Sequence, residues 1–285
     1  MSQPALTLLS VLAHPDDESF GMGGTLASYA ARGVQVHLIC ATRGEAGSLD
    51  ADCLDGFASI AERRESELRC ATQVLGLTQV HFLGYRDSGM PGSPDNDHPN
   101  ALVGQPVEQV AAAVAHLMRQ VRPQVVLTFD PIGGYKHPDH IAIHRATRLA
   151  FKLAGDPAFA DEYPPYQPQK LYFHIIPKRM LKFAVGAIRL VGRDPRKFGR
   201  NQDIDLQALV EEGDFPIHAA IDIRAVRAQK EAASACHESQ IGGSPRRGPV
   251  AWILRELADR NELFMRAEPP PGKNVEKDLF SGIVG

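Results

Sequence analysis

The stretch that most constrains this chain is His14-Pro15-Asp16-Asp17-Glu18. It follows a largely apolar run, Leu6 to Ala13, of the kind that forms a strand buried on both faces. Three carboxylates and an imidazole do not belong in a core, so the chain must surface and turn at this point. Pro15 suits the first position of a helix, and Asp16, Asp17 and Glu18 suit the positive end of the helix dipole. Taken alone, the stretch reads as an acidic helix start. The same device recurs, however: Val125 to Phe129 reads as a second buried strand, and after Gly133-Gly134 comes His137-Pro138-Asp139-His140 opening another helix. Two strand-to-helix turns that each offer His-Pro-Asp read as the two halves of one site.

The rest of the chain alternates in the same way. Helices are predicted over Ser19 to Arg32, Phe57 to Leu75, Val107 to Val121 and Ile141 to Leu153, and strands over Val34 to Ala41, Gln79 to Leu83 and Lys170 to Ile176. Beyond these come a strand at Ala219 to Ile223, helices at Ala225 to Cys236 and Pro249 to Arg260, and an edge strand at Asn261 to Arg266. Parallel strands need crossover connections, so alternation predicts an α/β fold with a doubly wound, mostly parallel, Rossmann-like sheet and helices on both faces. In such sheets ligands sit outside the carboxyl ends of the strands near the switch in strand order. The polar loops at Thr42 to Ser48 and Gly84 to Met90 leave strands at that same end.

The expected organisation is a single domain over residues 1–285, with a lid or oligomerisation insertion at about 178–215 and a surface or intersubunit tail from about 268. Lys178 to Arg200 carries eight Lys and Arg residues and one acid around an apolar run, Met180 to Val191. It is expected to be an oligomer contact or a flap. A membrane-surface helix is the weaker reading, because the apolar residues occupy nearly every face rather than one stripe. A net charge of -3 leaves no basic footprint for nucleic acid. Cys40, Cys53, Cys70 and Cys236 show no paired spacing and read as reduced thiols. With no leader pattern and no apolar run of membrane-spanning length, a cytoplasmic protein is expected.

His14, Asp17 and His140 have the ligand types of a catalytic zinc site, three protein ligands with one position left for water. Asp16 is then a carboxylate beside the metal but not on it, as a general base requires. Two rivals use the same region. A two-His-one-carboxylate iron triad fits the ligand types, but it usually sits on an all-β barrel. Dinucleotide binding is suggested by Gly21, Gly23 and Gly24, but the spacing fails and acids occupy the turn where a pyrophosphate would lie.

Several motifs together resemble one family. They are Ala13-His14-Pro15-Asp16-Asp17-Glu18, Gly21-Met22-Gly23-Gly24-Thr25-Leu26, Thr42-Arg43-Gly44-Glu45, Arg64-Glu65-Ser66-Glu67-Leu68, Asp87-Ser88-Gly89-Met90 and His137-Pro138-Asp139-His140, with His237-Glu238-Ser239-Gln240 near the end. This set is similar to the zinc-dependent N-acetylglucosaminyl deacetylases, the LmbE-like proteins. That family includes the glycosylphosphatidylinositol de-N-acetylase and the mycothiol- and bacillithiol-pathway deacetylases. The resemblance implies that His14, Asp17 and His140 bind Zn2+, with Fe2+ or another divalent metal as substitutes. It implies Asp16 as general base, His137 and Tyr135 at the developing oxyanion, and Arg64, Asp87 and Glu45 at the substrate. The implied reaction releases acetate from an N-acetylglucosamine conjugate, a small-molecule amino-sugar partner of low-molecular-weight thiol synthesis. A homo-oligomer is expected separately, from the apolar stretch at 178–200. An amidase cleaving a thiol conjugate and a non-catalytic zinc-containing carbohydrate-binding protein are the alternatives. No motif is recognised between Pro177 and Phe215.

Overall fold

The computed structural model describes residues 5–47, 54, 56–198, 202, 204–212, 214–240 and 260–283. Its strands are β1 (Thr7–Leu12), β2 (Gln35–Thr42), β3 (Gln79–Tyr85), β4 (Val125–Phe129), β5 (Lys170–Ile175), β6 (Ala219–Asp222) and β7 (Asn261–Glu268). They form one sheet in the order β3-β2-β1-β4-β5-β7-β6. The first five are parallel to one another, and β7 runs antiparallel to both its neighbours. The order reverses between β1 and β4, so the two His-Pro-Asp turns leave adjacent strands at the same end of the sheet. Doubly wound topology is therefore what brings residues more than 120 positions apart to one place, as the sequence leads one to expect.

β1 sits in the middle because it can: Leu8, Leu9, Val11 and Leu12 are all completely buried, two to each face. Helices α1 (Asp17–Ala31), α2 (Ile60–Leu75) and α8 (Arg227–Cys236) pack together on one side of the sheet, and α3 (Val107–Val121) with α5 (Pro138–Leu153) on the other. A short turn, α4 (Gly133–Lys136), leads into α5. Boundaries follow local chemistry. Ser59 Oγ accepts the amide of Glu62 at the start of α2 while Glu62 Oε2 accepts that of Ala58, and Gly76 closes the helix in the left-handed region. α1 is kinked at Met22. The amides freed by the kink, Gly24 and Thr25, donate to the buried Glu262 carboxylate of β7 at 3.0 and 2.6 Å. Gly24 also lets α1 approach Ile223, whose side chain a Cβ would meet at 2.7 Å. Gly24, one of the glycines that suggested a nucleotide loop, thus serves helix packing.

Two expectations are corrected, the edge position of β7 and the free thiols of Cys70 and Cys236. β7 is not an edge strand: it lies between β5 and β6, and β6 is the edge. Two of its charged residues are accommodated by partners, Glu262 by Lys230 at 2.6 Å and Arg266 by Glu276 at 2.8 Å. The tail runs over the surface from Pro269 and then docks: Glu276 exchanges backbone hydrogen bonds with His218 and Ala220, and Leu279 and Phe280 are buried against the core. Cys70 and Cys236 are not free thiols but a disulfide, with Cα atoms 5.8 Å apart, joining α2 to the end of α8. Cys40 is a buried free thiol, and Cys53 and most of the helix expected over 249–260 lie outside the described residues.

The unmatched stretch forms α6 (Lys178–Leu190) and α7 (Leu206–Glu211). Val185, Leu206 and Leu209 make a small separate core, against which Ile132 and Tyr135 pack. No described helix is long and apolar enough to cross a membrane.

Candidate metal centre

The loops after β1 and β4 meet over the carboxyl ends of those strands. His14 Nδ1 and His140 Nε2 face each other at 3.2 Å. One oxygen of Asp17 lies 3.2 Å from His140 Nε2 and the other 3.5 Å from His14 Nδ1, and the carboxylate is fixed by the backbone amide of His14 at 2.7 Å. Zinc arms of about 2.0–2.2 Å in a tetrahedron would set ligand atoms about 3.3–3.6 Å apart, so these three groups have the span of a metal cage.

The tautomers point the same way. His140 Nδ1 is 3.2 Å from the carbonyl of Gly133, which accepts a proton and leaves the Nε2 lone pair turned inward. His14 Nε2 is 3.1 Å from Asp139 Oδ2 and 3.4 Å from Asp87 Oδ1, so the neutral ring keeps its proton there and turns the Nδ1 lone pair inward too. Two such lone pairs at 3.2 Å repel unless a shared proton or a metal cation lies between them. Asp139 is completely buried and saturated, its Oδ2 also taking the Ser88 amide at 2.8 Å and its Oδ1 the Ser88 hydroxyl at 2.5 Å. Sequence reasoning passed over Asp139, although it lies inside the quoted His137-to-His140 motif.

His137 opens α5 as its cap. Its Nδ1 accepts the amide of Asp139, so the neutral ring carries its proton on Nε2 and can donate from there. Burial, with His14 and His140 nearby, holds its pKa well below the ordinary value. Its ring centroid is 4.5 Å from that of His14, and it could also supply a nitrogen to a metal shared with His14 and His140. Tyr135 packs edge-on to His140 at 5.0 Å, and burial raises its pKa well above the usual phenol range. The loop carrying it is pinned by Asp130, whose Oδ1 accepts the amides of Ile132 and Gly134, and Lys136 pairs with Glu212 at 2.5 Å. Gly133 has φ +67°, and a Cβ there would strike His140 Cβ at 2.8 Å.

Asp16 is not among the groups that line the gap. It has φ +121° and ψ -27°, a conformation costly for any residue with a side chain. Its carboxylate is 3.2 Å from Arg64 Nη2, and burial raises its pKa to about 6 against the pull of that guanidinium. Arg64 is buried: it donates to the carbonyls of Pro15 at 2.7 Å and Gly44 at 3.1 Å. Gly44 is required there, since a Cβ would lie 2.1 Å from Arg64 Nη1. Asp87 accepts the Gly89 amide at 2.8 Å, and Glu45 accepts that of Asp87 at 3.0 Å, so the three residues expected at the substrate brace one another's loops. His144 donates to the Phe129 carbonyl at 2.8 Å and lies away from the gap, as a structural histidine should.

Sheet topology and cluster together define an α/β protein with a histidine-aspartate centre competent to hold a metal ion at its switch point. The chain belongs to the PIG-L family, described as GlcNAc-PI de-N-acetylase, whose model matches residues 9–151. It is a deacetylase, a hydrolase of amide bonds. A 1D-myo-inositol 2-acetamido-2-deoxy-alpha-D-glucopyranoside deacetylase of Thermomonospora curvata is 38% identical, with 100% of this chain and 99% of the relative covered. The protein of the same description from Geodermatophilus obscurus is 35% identical over 99% of both. Among solved structures, a conserved protein of Thermus thermophilus is similar at 26% identity and TM-score 0.63, covering 95% of this chain and 97% of that one. An N,N'-diacetylchitobiose deacetylase of Pyrococcus horikoshii shares the fold at 21% identity and TM-score 0.64, covering 98% and 86%.

Proposed function

We propose that the chain removes the acetyl group from an N-acetylglucosamine conjugate, of which the inositol conjugate named for its relatives is the first candidate, in a route to a low-molecular-weight thiol. The observation that carries this reading is the convergence of His14 Nδ1 and His140 Nε2, 3.2 Å apart, beside the Asp17 carboxylate. These three residues would hold a divalent metal, zinc being favoured by two imidazoles and a carboxylate in a compact cage. When bound, such an ion supplies Lewis acidity for the acetamide carbonyl and for water.

Asp16, adjacent to the cage but outside it, accepts the proton of the attacking water. His137 Nε2–H and the Tyr135 hydroxyl donate to the oxygen on which negative charge develops, in a pocket that burial keeps dry. The nitrogen then leaves as an amine with a proton from Asp16 or His137. Asp87 Oδ2 approaches Arg64 no closer than 3.7 Å, which leaves it able to take a sugar hydroxyl, and Arg64 and Glu45 hold the wall in which it sits. α6 and α7, packed on Tyr135, act as the lid on this pocket.

The test is to strip the protein with a chelator, restore zinc or iron(II), and measure primary amine released from N-acetylglucosaminyl-inositol, N-acetylglucosaminyl-malate and a thiol conjugate. Release from the first two supports deacetylation and ranks the aglycones. Release from the thiol conjugate alone would make the chain an amidase of different specificity. Retained sugar binding with no release from any would make it a carbohydrate-binding protein.

A further inference from the structure

We infer that His237 is a positioning residue for the reaction, acting through Glu18 on the backbone of Asp16; this rests on the assignment of Asp16 proposed above. Glu18 and His237 are both completely buried, and His237 Nε2 lies 2.7 Å from Glu18 Oε1. The other oxygen, Oε2, accepts the backbone amide of Asp16 at 3.0 Å. Ser19 Oγ also donates to Oε1, at 2.5 Å. His237 Nδ1 is buried without a hydrogen-bond partner among the described residues, so the polar attachment of this ring there is to Glu18.

The geometry explains what such a bond is for. A residue at φ +121° with a side chain relaxes toward ordinary backbone unless its surroundings overdetermine it. Asp16 is held at three points. Its carbonyl accepts from Ser19 at 3.0 Å and Phe20 at 2.9 Å, its carboxylate meets Arg64, and its amide meets Glu18. The first two would survive a modest rotation of the peptide between Pro15 and Asp16. That rotation is resisted at both ends of the peptide, by Arg64 on the Pro15 carbonyl at 2.7 Å and by Glu18, which fixes the direction of the N–H itself. Glu18 can hold that direction only if its own carboxylate is fixed, and a carboxylate in a core with a loose side chain is not.

His237 is well placed to fix it because the segment that carries it is anchored repeatedly. Ser239 donates from its amide and hydroxyl to Glu67 of α2 at 2.9 and 2.6 Å, Glu238 pairs with Arg63 at 2.9 Å, and Cys236 is bonded to Cys70. The second helix and the end of α8 thus form a rigid bracket. From that bracket one imidazole reaches across to the turn that carries Asp16. The His237-Glu238-Ser239-Gln240 motif, 219 residues from Glu18, has in this arrangement a mechanical role in the reaction and no contact with the reacting atoms.

The test compares His237→Ala with His237→Gln, since the Gln amide nitrogen reproduces Nε2 and can still donate to Glu18. The Ala variant is expected to lose about ten- to a hundredfold in kcat, the scale of a misplacement of about 1 Å at a catalytic group. KM and zinc per chain should stay near wild type, and hydrogen exchange at the Asp16 amide should accelerate. The Gln variant should regain most of kcat and of the amide protection. An unchanged kcat in His237→Ala, a kcat loss matched by an equal loss of zinc, or a Gln variant as poor as Ala would each overturn the inference. If His237→Ala does not fold, His237→Asn replaces it, because its shorter amide mimics Nδ1 and cannot reach Glu18. A wild-type chain that hydrolyses none of the amides would instead sink the functional reading, while the exchange measurement would still judge the brace.

Discussion

Replacing Asp139 with alanine tests whether the tautomer of His14 is what creates the metal site. Asp139 makes three bonds: to His14 Nε2 at 3.1 Å, to the Ser88 amide at 2.8 Å and to the Ser88 hydroxyl at 2.5 Å. Without it, the Nε2 proton of His14 is held among the described residues only by the longer contact to Asp87 at 3.4 Å, a weaker hold that lets the ring move its proton to Nδ1 and turn an N–H toward the gap. Loss of such an outer partner typically weakens metal binding about 10–100-fold, or about 1.4–2.8 kcal/mol. A second cost is separable. Ser88 is completely buried, and stranding its amide and hydroxyl costs about 1–3 kcal/mol each, so the metal-free protein should lose about 2–6 kcal/mol of stability. Zinc affinity is read by competition with a chromophoric chelator, and stability by urea denaturation of the chelator-stripped protein. Asp139→Asn retains an oxygen that can face both His14 and the Ser88 amide, and it should keep most of the affinity. Wild-type affinity in Asp139→Ala would refute the tautomer argument, and equal losses in both variants would show that charge, not acceptor geometry, matters.

Asp17→Ala should lower bound zinc, whereas Asp16→Ala should keep zinc and lose most turnover; metal analysis beside kinetics separates them, and equal zinc loss would refute the division. Tyr135→Phe should keep zinc content and substrate affinity while kcat falls by up to about a hundred- to a thousandfold, the range for one oxyanion donor, and a wild-type kcat would remove the phenol from the reaction. Burial pushes the pKa of His144 down to about 4 from 6.5, so the unfolded chain binds the extra proton: this contribution is whole above pH 6.5 and is lost as pH falls toward 4. It amounts to about 3 kcal/mol, and the urea midpoint of His144→Gln should therefore fall less than that of wild type between about pH 7 and pH 4.5.

The central strands and the helices between them are legible in the sequence because a strand buried on both faces must be apolar throughout, as Leu8 to Leu12 and Val125 to Phe129 nearly are. The chemistry at their ends is legible because His14 and His140 stand where no core would tolerate them. What stays hidden has a common cause, which is partnership at long range. Glu262 and Arg266 make β7 look like an edge, and only their distant partners Lys230 and Glu276 make the inner position tolerable. Cys70 and Cys236 have no spacing to read at a separation of 166 residues. Asp139 is disguised differently: in the second place of a helix after proline, an aspartate already has an adequate local explanation. Glu18 shares that disguise.

The Cys70–Cys236 bond turns the middle of this chain into a covalent ring containing β3 to β6 and both histidines of the second turn. β1, β2 and β7 lie on the two open arms. The arms are inserted into the ring's own sheet, β1 beside β4 and β7 between β5 and β6. A protease that cuts within the ring therefore opens it without freeing a fragment, and the nicked molecule travels as one piece on a gel until thiols are added. A cut between β2 and α2 acts otherwise, since it leaves the segment with His14, Asp16 and Asp17 attached by packing alone. The half of the centre that carries His14, Asp16 and Asp17 is thus the half this protein can shed.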